Sequence, residues 1–374
     1  MSHNTNEALS WLRYALNPDT KMPEVTDWNA LFDFAEKHKI VGVCNPTNRP
    51  VEIDRKMLFR WVGRVQQIRN RSELMNQRVV KLDQFLKKSG FNSCVLKGQG
   101  NAEMYPDPLS RTAGDIDVWV DAEEQEIYGF VKELFPTITQ TFKHIKFPVF
   151  KDVPVDVHQI PLKLYHPRHN KLLKEWINAQ KKEQMEHVVR LTGTETDVCV
   201  PTSRFNAVYQ LGHILIHLID EGVGLRHLVD FFYVLKNLAD ISETEKDEIR
   251  ATWKKLGMLR LATAIMWIEH EVLGLSENCV LVKPNRKRGE LLLQDVLEGG
   301  NFGKSSKRQE YREKYGYIIS KILRACHVCR LSWLFPGEAV YKLISKISTF
   351  FNDLIKERCW HNCTRTRDGE SLAT

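Results

Sequence analysis

Apolar residues keep helical step up to residue 90 and strand step just beyond it, and this change of period constrains the fold more than any other feature. Leu58, Trp61, Val65, Ile68, Ser72, Met75, Val79, Leu82 and Leu86 recur in steps of three and four. That spacing predicts one apolar stripe on a long helix, with Ser72 its only polar member. Such a stripe serves core packing far more often than a cofactor box or a dimer seam. Ser89-Gly90 supplies the stop.

From 91 to about 160 the period falls to two. Ser93 to Leu96 is a short apolar run ending in Lys97-Gly98-Gln99-Gly100. Asp115 to Val120 alternates, with Ile116, Val118 and Val120 on one face and Asp115, Asp117 and Trp119 on the other. Asp121 and Glu124 are spaced as N-cap and N3 of a helix through Leu134. Thr141 to Phe150 and Val153 to His158 read as two strands joined at Lys151-Asp152, with Pro148 and Pro154 suited only to edges or bulges. Beyond 165 the chain reads as helical again, in Phe205 to Asp220, Leu225 to Leu238, Trp253 to Leu273 and Tyr311 to Trp333. A basic, glycine-containing stretch, Lys283 to Lys307, interrupts it. The fold class expected is α+β, a small mixed sheet between helical regions. The limits drawn are 1–90 for the N-terminal helices, 91–165 for the sheet core, 166–358 for the C-terminal helical domain and 359–374 for a disordered tail.

Composition narrows the class. With 20 Gly and 14 Pro in 374 residues, disorder and collagen-like repeats are excluded. No run reaches the ~18 uncharged apolar residues of a membrane-spanning helix, and the opening residues lack the basic and apolar regions of a secretory signal. A cytoplasmic chain is therefore expected. Eight cysteines are too few for a disulfide scaffold. Cys326 and Cys329 with Cys359 and Cys363 have zinc-like spacing, but the helical approach to CHVC favours reduced thiols. Phe91 to Tyr165 carries 7 basic against 11 acidic residues, a net of −4, and Leu281 to Arg330 carries 12 against 5, a net of +7. An acidic centre beside a basic segment suits a cation-loaded site next to a phosphate-rich partner. A solvated basic surface explains the segment equally well.

Asp115 and Asp117 carry the sharpest chemistry. At i and i+2 of a strand both carboxylates leave one face, about 7 Å apart at their Cα atoms. That pair can straddle two divalent cations ~3.5–4 Å apart, and hard oxygen ligands suit Mg²⁺, with Mn²⁺ a second candidate. D-x-D alone is common in solvent-facing strand starts. Asp156, flanked by Val155 and Val157, is an unusual place for a surface acid and would make a third carboxylate if its strand lies beside that of Asp115. The turn Lys97-Gly98-Gln99-Gly100 offers backbone N–H groups, a helix start and the Lys97 charge to a phosphate. Arg111 adds a planar donor at the same mouth.

In this combination VLKGQGNAEMYPDPLSRTAGDIDVWV (Val95 to Val120), followed by VPVDVHQIP (Val153 to Pro161), resembles the uncharacterised bacterial nucleotidyltransferase family of the DNA polymerase β-like superfamily. The superfamily resemblance covers about 92 to 160; for the narrower family it extends to GVGLRHLVDFFYVL (Gly222 to Leu235) and to GGNFG at Gly299 to Gly303. It implies a polymerase β-like core in which Asp115 and Asp117 hold two metal ions. Asp156 would ligate one of them and help deprotonate an acceptor hydroxyl, while Lys97 and Gly98 face the triphosphate, with Gln99 and Arg111 beside them. The superfamily places Gly-Ser or Gly-Gly after the first strand; Lys97-Gly98-Gln99 departs from that, which bears on nucleotide binding more than on activity. The implied reaction moves a nucleoside monophosphate from a triphosphate to an acceptor hydroxyl and releases pyrophosphate. The acceptor, whether a small molecule, a protein side chain or an RNA end, is left open, as is the oligomeric state. The alternative is a catalytically silent nucleotide- or RNA-binding protein of the same fold.

Other features read more plainly. His213 and His217 share a helical face but lack the glutamate of H-E-x-x-H, so a packed hydrogen-bonded pair is favoured over zinc. Arg226 and Asp230, i and i+4, suit a mutual pair, with a phosphate contact by Arg226 the lesser reading. His144 and His158 lie beside the acids as candidate substrate contacts or structural histidines. GGNFGKSS is one residue short of a P-loop and follows no strand, which excludes an ATPase of that type.

Overall fold

The computed structural model describes residues 2–47, 49–138, 144–301 and 322–345. Three helices open the chain: α1 (His3–Leu16), α2 (Trp28–His38) and α3 (Arg55–Lys88). Each begins on an oxygen-bearing cap, Ser2, Asp27 and Asp54, that accepts from first-turn N–H groups. The stripe on α3 serves two cores in turn. Trp61, Val65 and Ile68 pack with α1 and α2, Trp61 meeting Phe32 edge-on at 5.0 Å between ring centroids. Met75, Val79, Leu82 and Leu86 pack under the sheet. Ser72 is buried at the changeover, and its hydroxyl donates to the Arg111 carbonyl at 3.0 Å. Gly90, at φ +87°, turns the chain out of the helix.

The sheet holds β1 (Ser93–Leu96), β2 (Ile116–Val120), β3 (Ile145–Lys146) and β4 (Val155–His158) in the order β1-β2-β4-β3. The central β2–β4 pair is parallel and the outer pairs are antiparallel. A short helix, α4 (Gly98–Ala102), follows β1, and α5 (Glu124–Leu134) crosses from β2 toward β3. Both faces are covered, so β1, β2 and β4 are buried throughout. Val95, Ile116, Val118, Val120, Val155 and Val157 join the core that contains the second half of α3 and Ile127 and Val131 of α5. Cys94, Leu96 and Trp119 belong instead to the large helical core. There Trp119 stacks on Phe205, 5.9 Å between centroids.

That second core is built mainly from the C-terminal helices. They are α6 (Pro167–Glu186), α7 (Ser203–Asp220), α8 (Leu225–Lys236), α9 (Glu243–Lys255), α10 (Leu259–Trp267) and α11 (Arg286–Gly299), with helical residues 322–331 and 336–345. A hairpin, β5 (Val188–Arg190) with β6 (Asp197–Cys199), follows α6. Among the described residues no helix is long and apolar enough to cross a membrane.

The architecture is the expected α+β, and several details differ. Asp121 does not cap α5; Glu123 holds the cap position without a side-chain bond, and Asp121 accepts from Lys181 at 2.5 Å. The strand expected over Thr141 to Phe150 reduces to Ile145–Lys146 among the described residues, because Pro148 has no N–H to continue the ladder. Trp253 to Leu273 is not one helix: Gly257, at φ +71°, separates α9 from α10, which runs into a π-helical turn at Ile268–Val272. The basic stretch from Lys283 contains α11, capped by Asn285. Lys307, Arg308, Cys359, Cys363 and the expected tail lie outside the described residues.

Candidate active site

Strand register builds the site. Asp117 on β2 pairs with Asp156 on β4 across the parallel ladder, so the two side chains leave one sheet face from strands about 4.8 Å apart. Asp115 lies one residue before β2, where Ile116 N donates to Pro154 O at 3.0 Å and fixes the entry of the strand. The result is a cluster in which one oxygen from each of Asp115, Asp117 and Asp156 lies within 4.8 Å of the others. Asp117 and Asp156 are buried and Asp115 is exposed. Three hard oxygen donors at this separation, open on the Asp115 side, fit a divalent cation of the Mg²⁺ type.

Cations of the protein itself already face these acids. Lys97 Nζ lies 3.1 Å from Asp117 Oδ2, and His158 Nε2 donates to Asp117 Oδ1 at 2.9 Å. Lys146 reaches both oxygens of Asp156, at 2.7 and 3.0 Å, with His144 Nε2 at 3.4 Å. Burial alone would raise the Asp117 pKa, but the Lys97 charge and the His158 hydrogen bond outweigh it and hold this carboxyl well below its ordinary value. For His144 burial dominates and lowers the pKa, against the pull of Asp156.

Lys97 occupies an unusual backbone position, φ +42° and ψ −140°. Non-glycine residues held there store strain that functional sites often use. Its ammonium also lies 2.8 Å from His213 Nε2, and His217 Nε2 lies 2.9 Å from the same nitrogen, whose one lone pair the two neighbours share. Gly98 continues the turn at φ +47°. The helix expected after it, α4, has only five residues, so its dipole is small and Lys97 is the charge this turn presents.

Two of the residues anticipated at the nucleotide are engaged elsewhere. Gln99 is buried, with its amide donating to Ser72 O at 3.3 Å and to Asn76 Oδ1 at 2.5 Å on α3. Arg111 is buried in a bidentate pair with Asp230, 2.7 and 2.8 Å, and Tyr105 OH donates to the same carboxylate at 2.6 Å. Asp230 is therefore the partner of Arg111 rather than of Arg226, whose Nη1 donates to Thr112 O at 3.1 Å. Gln99 and Arg111 thus tie the turn and the stretch before Asp115 to α3 and α8.

Sequence reading missed Lys146, Tyr105 and the contact between Lys97 and His213. Lys146 had an available signal, because it stands two residues after His144 and opposite Asp156 in an antiparallel pair. The long-range contacts had none. In the basic segment, Arg286 pairs with Glu290 at 2.7 Å and Arg288 lies over Trp333. Cys326 and Cys329 are free and exposed, and His327 bonds Asp295 at 2.7 Å.

Residues 24–274 match the model of a family described as uncharacterised nucleotidyltransferase. The chain belongs to that family. As a member of this nucleotidyltransferase family it carries all three acids, Lys97 and α8 inside the matched region. No curated protein matches it. One solved structure, an antigenic nucleotidyltransferase-like protein from Paracoccidioides brasiliensis, is similar at 12% identity over 48% of this chain and 86% of that one, with a TM-score of 0.31. Family membership rests on the match to the family model.

Proposed function

We propose that the protein is a divalent-cation-dependent nucleotidyltransferase that moves a nucleoside monophosphate from a triphosphate to an acceptor hydroxyl. The observation that carries this reading is the convergence of Asp115, Asp117 and Asp156 within 4.8 Å. Asp115 and Asp117 would hold two Mg²⁺ ions and Asp156 would share one of them. When bound, such ions neutralise the triphosphate and polarise the attacking and leaving oxygens. His158 orients Asp117 through its 2.9 Å bond. Lys97 would exchange its carboxylate partner for a phosphate oxygen, and Asp156 would take the acceptor's proton. The new bond joins the acceptor oxygen to the α-phosphorus, the bond from that phosphorus to the bridging oxygen breaks, and pyrophosphate leaves.

A silent binder of the same fold is favoured by one specific feature: Lys146 covers both oxygens of Asp156. The two readings separate in one experiment. Purified protein is incubated with each α-labelled triphosphate, Mg²⁺, and tRNA, protein and small-hydroxyl acceptors. Label transfer that needs Mg²⁺ and is lost in Asp117→Asn is the expected result. Triphosphate binding without transfer, equally tight with and without Mg²⁺, would establish the silent binder.

A further inference from the structure

Asp115 is the one acid of the cluster that no strand holds. It is exposed and follows an irregular stretch, residues 111 to 114, whose place must be set from outside. The Ser72 hydroxyl on α3 holds the Arg111 carbonyl. The Arg111 guanidinium is held by Asp230 on α8, and Tyr105 completes that carboxylate's bonds. One helical turn earlier on α8, Arg226 donates to Thr112 O at 3.1 Å. An added Cβ on Gly114 would lie 3.8 Å from the same Arg226 nitrogen, so the guanidinium runs beside the residue that precedes Asp115. Tyr105, Arg111 and Asp230 are buried, and Arg226 Nε is sealed from solvent.

A buried ion pair adds little net stability compared with an apolar contact, but a bidentate arginine–carboxylate pair adds geometric specificity. Here the charges of Arg111, Asp230 and Arg226 sum to +1 directly behind a carboxylate that two other carboxylates crowd. Burial and the neighbouring Arg111 pull the Arg226 pKa down, while Asp230 and Asp115 oppose them.

We infer that Arg226 and Asp230 on α8 are positioning residues for the cation site, fixing through residues 111–114 where Asp115 stands relative to Asp117 and Asp156. The inference rests on the metal-binding reading of the three acids proposed above. Partners bonded directly to metal ligands change affinity by roughly 10–100-fold when removed, and Arg226, acting through Thr112, belongs at the low end.

The test uses the full chain as wild type, Arg226→Gln, Arg226→Lys and Asp230→Asn. Mn²⁺ affinity is read by electron paramagnetic resonance, and amide hydrogen exchange is followed across residues 111–116. Arg226→Gln should bind Mn²⁺ about tenfold more weakly and exchange faster at Thr112 to Asp115, with β2 and the rest of α8 unchanged. Arg226→Lys, which keeps the charge and a donor, should recover part of both. Wild-type affinity and exchange in Arg226→Gln would overturn the inference while leaving the metal site standing. If wild type itself binds no Mn²⁺, the metal reading fails. Exchange then decides: faster exchange at 112–115 upholds positioning of Asp115, and unchanged exchange overturns it. If Asp230→Asn does not fold, the Arg226 variants still give the result.

Discussion

At Asp156 a lysine stands where a cation is proposed to bind. Lys146 reaches both carboxylate oxygens from a side chain that is 50% exposed. An ion pair of that exposure is worth up to ~1 kcal/mol. Lys146→Met should therefore tighten Mn²⁺ binding by up to about fivefold, measured by calorimetric titration; weaker binding would show that Lys146 supports the site instead. A titrating residue lies beside the start of α8. Burial, reinforced by Lys37, lowers the His38 pKa to about 3, and His38 Nδ1 accepts from Leu225 N at the start of α8. An unfolded histidine titrates near ~6.5. Between pH 6.5 and 3 the unfolded chain thus binds one proton more, and stability drops by about 1.4 kcal/mol for each unit the pH is lowered. Urea unfolding at pH 7 and pH 5 should show a loss of roughly 2 kcal/mol from this residue, absent in His38→Leu. Equal pH slopes in the two proteins would contradict it.

Between elements, the tightest approach to the site's floor is made by Gly42, in the turn after α2. A Cβ there would lie 2.1 Å from Ser110 O, next to Arg111. Backbone cannot yield as a side-chain tip does, so Gly42→Ala should cost about 3 kcal/mol or more in urea unfolding; a cost under ~0.5 kcal/mol would mean the turn is looser than the structure shows. Where the sequence was legible, local periodicity made it so. The α3 stripe, the alternation of β2 and the D-x-D all follow from residues near one another in the chain, whereas the place of Asp156 opposite Asp117 depends on strand order. Other elements were legible only in part. The helix expected from Trp253 begins at Glu243, behind a Ser242–Glu245 capping box that the apolar period does not show, and β5 and β6, three residues each, are too short for a periodic signal. Least legible was the partner of Arg111. Local spacing favours pairing Arg226 with Asp230, but the bidentate partner of Asp230 comes from 119 residues away.

Across the whole molecule, the sheet presents its acids on the face that Trp119 shares with the C-terminal helical core, and those helices complete the site. Lys97 meets His213 of α7, and the Arg111 stretch meets α8. The family match over residues 24–274 covers both the sheet and these helices. The central claim is that Asp115, Asp117 and Asp156 hold divalent cations. Crystals soaked in Mn²⁺ with a non-hydrolysable triphosphate test it most directly, by anomalous scattering. Peaks bounded by all three carboxylates, with Lys97 and Lys146 moved off Asp117 and Asp156, are the expected result. No peak at millimolar Mn²⁺, with both lysines still on the acids, would contradict it.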